Sequence, residues 1–177
     1  MLKRTLCIML VSFSGLACSA EIKKQIELTV KVNVFKPVCK INSGEQTINF
    51  GDFDAQDVVT GSSKINGSAT FKFTECSAVN NMKIKFKQAG QSPAPNITSN
   101  YIPNSSGDTM AKGVAVKLLD EKKQEVQLGE IMSINVGNNQ TTKDFTLNAM
   151  VIPINKTGEG ISPGILQTAI GLEISYE

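Results

Sequence analysis

The chain has 177 residues, a length that suggests one domain, and 41% of them are hydrophobic, enough for a buried core. Charged residues are 19% and the net charge is +2, too small for a counterion-driven hold on nucleic acid, so no nucleic-acid partner is expected. The chain has no histidine, which excludes Ser-His-Asp and Cys-His catalytic constellations.

At the N-terminus, Lys3 and Arg4 precede an apolar stretch from Leu6 through Phe13, and Ala17-Cys18-Ser19-Ala20 follows. The stretch is shorter than the roughly 20 residues a membrane span needs. Residues 1–20 are therefore read as a cleaved secretory signal with small residues at the cut after Ala20. A lipoprotein signal acylated at Cys18 is the rival reading, but Gly15 stands where that processing favours leucine. Removal of the segment leaves 16 basic and 16 acidic residues. It also removes Cys7 and Cys18. Cys39 and Cys76 remain, and in an oxidising compartment their natural reading is one disulfide. Without histidine or a Cys-x-x-Cys pair, they are not read as a metal site.

Residues 22–34 alternate. Ile26, Leu28, Val30, Val32 and Val34 share one side with Ile22, interrupted by Lys24; Lys23, Gln25, Glu27, Thr29, Lys31 and Asn33 take the other. Period two predicts a strand with one buried face. Pro37, which lacks an N–H, marks its boundary. Short β-type runs follow at Val38–Ile41, Thr47–Phe50, Ala69–Phe73 and 82–86, the last with Lys83, Lys85 and Lys87 on its wet face. Asp52, Asp54 and Asp57 lie beside Gly51, but their spacing does not fit an EF-hand loop and they are read as a solvated acidic run. Residues 89–113 are rich in Gly, Ser, Asn and Pro and read mainly as loop. Val114–Leu119 and Glu125–Leu128 form a candidate hairpin, and Phe145–Ile152 and Leu166–Tyr176 are the last long strands. No sizeable segment shows a 3.6-residue stripe, so the fold class expected is an all-β sandwich. No Walker loop or dinucleotide glycine fingerprint occurs, and no cofactor or metal is expected.

The chain's end is the sharpest feature. Ile170, Leu172, Ile174 and Tyr176 alternate with Ala169, Gly171, Glu173 and Ser175, and the sequence stops at Glu177. One end thus offers an open apolar edge and the other a spare strand, and strand addition from another chain would satisfy both.

With these features the whole precursor resembles the pilin subunits of chaperone–usher fimbriae. The marks are the signal, the alternating arm, Cys39 and Cys76, Gly164 fourteenth from the end, and the penultimate aromatic Tyr176. The resemblance implies an incomplete immunoglobulin-like sandwich lacking its last strand, and no enzymatic activity. It implies a signal over 1–20, a donor-strand extension over 21–36 and a pilin domain over 37–177. Ile26, Leu28, Val30, Val32 and Val34 would be donor side chains. Gly164, Ile170, Leu172, Ile174, Tyr176 and Glu177 would form the edge that a periplasmic chaperone, and then a neighbouring subunit's arm, pairs with at the outer-membrane usher. The subunit would pass through the periplasm to a cell-surface fimbrium and support adhesion. One departure is the lack of glycine between Glu21 and Lys36: Val32 stands where donor arms of this family carry one. The alternative is a complete sandwich whose two end segments are ordinary paired strands, serving as a secreted module that binds carbohydrate or protein.

Overall fold

The computed structural model describes residues 39–76, 79–137 and 140–177, so the signal and the arm expected at 21–36 lie outside the described residues. Ten short elements follow in order. They are β1 (Lys40–Ile41), helix α1 (Ala55–Thr60), a 3-10 turn (Ser63–Ile65), β2 (Asn66–Thr74), β3 (Asn81–Gln88), β4 (Ile102–Pro103), β5 (Val114–Leu119), β6 (Ile131–Asn135), β7 (Lys143–Pro153) and β8 (Ile170–Tyr176). The strands form two antiparallel sheets, one in the order β1-β2-β7-β5-β4 and the other β6-β3-β8.

The alternation read in the sequence decides which face of each strand is buried. On β2, Ala69, Phe71 and Phe73 turn inward; on β3, Met82, Ile84 and Phe86; on β7, Phe145, Leu147 and Ala149. Val116 and Leu118 of β5 complete the main core, in which the rings of Phe71 and Phe145 stack with centroids 6.3 Å apart. Those two residues are also register partners across β2 and β7. Burial of such side chains contributes about 1.5–3 kcal/mol each before ordering costs. The Cys39–Cys76 disulfide is formed, and it joins the residue just before β1 to the end of β2, beside the pair Lys40–Thr74.

The structure departs from the sequence reading in four places. The acidic run is a helix start: Asp54 Oδ1 accepts from the Asp57 N–H at 2.8 Å, and Asp57 Oδ2 accepts from the Asp54 N–H at 3.2 Å, a capping box. The Asp54 backbone hydrogen bond holds the Asp57 carboxyl below its ordinary range. The helix has only six residues, too few to show a stripe; it ends at Gly61 in the left-handed region and buries Val58 against Ile65, Val114 and Val151. The second departure is at Thr47–Phe50, which is not a strand: of the two runs expected there, only the first, as Lys40–Ile41, pairs with β2. Third, Glu125–Leu128 makes a single bridge at Glu125 to Leu119 in place of a strand, and its partner in register is the buried side chain of Asn100. Fourth, β6 was not expected; it pairs along β3 from Lys85–Ile131 to Asn81–Asn135.

Candidate functional site

β8 is the last strand of the three-stranded sheet and pairs with β3 on one side only among the described residues. Glu177 N donates to Asn81 O at 2.8 Å and Asn81 N donates to Glu177 O at 3.0 Å, so these two form a hydrogen-bonded pair. Backbone direction alternates along a strand. Every second residue back from Glu177 therefore faces β3, and Ile170, Leu172, Ile174 and Tyr176 turn their N–H and C=O groups to the open edge. The side chains of those same four residues point inward and pack on the main core, yet remain only half-buried. The β3 partners of Tyr176 and Ile174, Met82 and Ile84, are 0% exposed. The difference arises because β3 is flanked on both sides and β8 on one.

Beside that edge lies an apolar groove of about 780 Å³. Ile170, Leu172 and Ile174 form one wall, and Ile41 with the segment 44–50, including Ile48 and Phe50, forms the other. Its floor is the inner face of the five-stranded sheet: Ala69 and Phe71 of β2, Leu147 and Ala149 of β7, Val116 and Leu118 of β5. A slot one strand spacing wide, about 4.8 Å, and one intersheet distance deep, about 10 Å, reaches this volume over a length of about 16 Å, or about five residues of extended chain. The volume is thus enough for about five residues of a single extended strand. Gly67 helps to set the far wall, since a Cβ there would collide with the Ile48 side chain.

The two ends of β8 are anchored. Before it, Gln167 is tied to the opposite sheet's edge: Ser105 N donates to Gln167 O and Gln167 N donates to Asn104 Oδ1, at 3.1 and 2.8 Å. The chain then crosses over Thr168 and Ala169 to start β8. At the far end, the Tyr176 hydroxyl donates to Cys39 O at 3.3 Å, linking β8 to the disulfide, and burial pushes its pKa up. On the outer face, Lys83 pairs with the Glu177 carboxylate at 2.5 Å and Lys87 pairs with Glu173, whose carboxyl is held low mainly by that hydrogen bond. These pairs are exposed and add little stability.

Of the residues expected at the acceptor edge, Ile170, Leu172 and Ile174 line the groove, Tyr176 packs on the same core, and Glu177 continues the pairing with β3. Gly164 lies elsewhere: it passes against the backbone of Met110 and Ala111, where a Cβ would collide, while the adjacent Ile165 bridges Met110. The arm residues Ile26, Leu28, Val30, Val32 and Val34 lie outside the described residues. Sequence reasoning missed the floor residues Ala69 and Ala149 as site residues, since small side chains carry no signal of their own. It also missed Thr168, whose Oγ1 is buried without a hydrogen-bond partner.

Residues 26–177 match the family described as "Fimbrial protein". The chain belongs to the fimbrial protein family. Among solved structures, this fimbrial chain is similar to a chain of a chaperone–usher pilus whose structure addresses rod uncoiling, with 16% identity and a TM-score of 0.62 over 88% of this chain and 97% of that one. It is also similar to the P pilus rod subunit PapA, with 14% identity and a TM-score of 0.58 over 79% and 99% of the two chains. The CupB6 tip adhesin from Pseudomonas aeruginosa matches with 18% identity and a TM-score of 0.50, over 62% of this chain and 30% of the adhesin. No curated protein matches. At these identities the structural likeness establishes the fold, and the family establishes a structural fimbrial protein.

Proposed function

We propose that the groove beside β8 is the acceptor for a strand supplied by another chain, and that residues 21–36 form the strand this subunit supplies in turn. The observation that carries the reading is the coincidence, on β8, of edge groups unpaired among the described residues and half-buried apolar side chains facing an apolar groove of about 780 Å³. Strand addition there satisfies the backbone groups of Ile170, Leu172, Ile174 and Tyr176 and covers their side chains in one step. The subunit is exported through the periplasm after loss of residues 1–20, is held by a periplasmic fimbrial chaperone that occupies the groove, and is polymerised at an outer-membrane usher when a neighbour's arm replaces the chaperone's strand. Its place of work is the surface fimbrium, where it supports adhesion as a structural subunit and not as an enzyme. A complete sandwich acting as a binding module has no observation in its favour beside an edge left open on this side.

The test is Val30→Asp in the full chain, co-expressed with a fimbrial chaperone. The mutant is expected to co-purify with the chaperone as the wild type does, yet to fail as a donor to a second, differently tagged subunit, because insertion buries an unpaired carboxylate. Loss of the chaperone complex itself would mean that the arm belongs to the subunit's own core.

A further inference from the structure

Asn66 and Gly67 are the one Asn-Gly pair in the chain. That pair is otherwise a turn signal, yet here it opens strand β2, in register with Met150 and Ala149 of β7. Packing explains the glycine: a Cβ at position 67 would collide with the Ile48 side chain. Asn66 itself is exposed, and its Nδ2 donates to Ser62 O at 3.3 Å. Ile65, just before it, is 0% exposed.

An asparagine followed by glycine is chemically vulnerable, because no Cβ on the following residue screens its backbone nitrogen. The Gly67 nitrogen attacks Asn66 Cγ and closes a five-membered imide. The Cγ–Nδ2 bond breaks, and the amide leaves as ammonia with the proton of the Gly67 N–H. Water then opens the ring at either carbonyl and leaves aspartate or isoaspartate. Ring closure needs the Gly67 nitrogen to eclipse the Asn66 Cβ about the Cα–C bond. Asn66 has φ −107° and ψ 141°, the extended backbone of a strand, which turns that nitrogen well away from Cβ. This conformation is held from both sides: the Asn66 N–H donates to Ser63 O, and the ladder to β7 begins at this residue. The bond from Nδ2 to Ser62 O restrains the side chain in the same way.

We propose that Asn66 is a deamidation site that formation of β2 closes, so that the modification marks each subunit by the time it spends unfolded. Isoaspartate adds a methylene to the main chain between Ile65 and Gly67. Ile65 is fixed in the core and Gly67 lies under Ile48, so the longer chain cannot keep both in place. The mark thus falls beside the far wall of the groove, which Ile48 helps to form. The chemistry follows from the placement of Asn66 and Gly67 and does not rest on the donor-strand reading.

Peptide mapping by mass spectrometry tests it on the full chain with the Cys39–Cys76 disulfide intact, one sample folded and the other held in urea, both at the same mildly alkaline pH. In urea, Asn66 is expected to lose its amide faster than any other asparagine. In the folded sample its rate is expected to be at least about tenfold lower, because the reaction waits for a local opening. Gly67→Ala should slow the reaction in urea, where no packing intervenes. Ile65→Val removes one buried methylene next to the site. It should speed the reaction in the folded sample by about two- to tenfold and leave the urea rate unchanged. Another asparagine reacting first in urea, or a urea rate unmoved by Gly67→Ala, overturns the assignment of the site. Equal rates in the folded and urea samples, or a folded-state rate unmoved by Ile65→Val, overturn its closure by β2.

Discussion

Ile174 is the residue at which the proposed acceptor role and the folding role of β8 can be separated. Its side chain faces Ile84, its register partner on β3, which is fully buried, while its other flank opens onto the groove. Full burial makes Ile→Ala cost about 2–5 kcal/mol. Only about half of that burial exists before a strand arrives, so Ile174→Ala is expected to cost the subunit about 1–2 kcal/mol and the filled joint a similar further amount. Ile174→Asp sharpens the contrast. In the open groove the carboxylate reaches water; under an inserted strand it is a buried, unpaired charge, a penalty of several kcal/mol that no single apolar contact offsets. Ile174→Asp should therefore yield a folded subunit that donates but does not accept. Combined with Val30→Asp, which accepts but does not donate, it gives a direct assay. Each variant alone is expected to form no polymer, and the two together should form a dimer and nothing longer, read by size-exclusion chromatography with separate tags on the two copies. Extended polymers from the mixture, or acceptance by Ile174→Asp at the wild-type level, would refute the assignment of β8 as the acceptor edge.

Asn100 is buried with φ at 56°, its amide donates to Glu125 Oε1 and Val126 O, and its carbonyl accepts from Leu128 N. Asn100→Ala strands two buried backbone groups at about 1–3 kcal/mol each, so urea unfolding should show a loss of about 2–5 kcal/mol. Glu125 is held below its ordinary range by Asn100 first and Lys117 second, so its contribution is present above the unfolded carboxylate pKa and is lost as pH falls through the lower folded value; Glu125→Gln should flatten the acid limb of the stability curve. Tyr176 has the opposite sign: burial raises its pKa, so its stabilisation is complete below the unfolded value near 10 and is lost as pH rises, and Tyr176→Phe should abolish that alkaline dependence in thermal melts. Reducing the Cys39–Cys76 bond, which spans a sequence separation of 37, should cost about 3.8 kcal/mol by the chain-entropy argument, checked by unfolding with and without reductant.

Strands whose two faces differ were legible. Lys83, Lys85 and Lys87 against Met82, Ile84 and Phe86 could belong to nothing else, and Ile170 to Tyr176 showed its inward series as plainly. What stayed hidden depends on contacts far apart in sequence. β6 has Ile131 outside and Met132 and Ile134 half-buried, a pattern too weakly alternating to stand out until β3 supplies its partner. The helix at Ala55–Thr60 is declared only by its capping box, and the same two aspartates read equally well as an acidic loop. The groove was half legible: its edge strand carries period two, but its floor comes from β2, β5 and β7, and its far wall from residues 44–50, which read as part of a strand.

Among the described residues, the four sheet edges differ in a way that would favour ordered assembly through the proposed groove over indiscriminate aggregation. β1 and β4 are two residues long, and β4 ends in Pro103, which cannot donate to a further strand. β6 is five residues long and borders none of the groove. Among the described residues, β8 alone joins a seven-residue edge to an apolar groove beneath it. A strand that pairs with β8 must also drop alternate side chains between the sheets, so backbone pairing and side-chain fit are required together. Backbone pairing by itself tolerates any sequence and any register. Side-chain insertion with period two rejects a slip by one residue, which would turn polar groups into the core. It distinguishes a slip by two only where the inward positions differ from one another, and along β8 the sharpest such difference is the step from Ile174 to Tyr176. An edge that is long, apolar and unblunted is a hazard in most proteins; here the apolar groove beneath it favours strands that carry apolar residues in alternation.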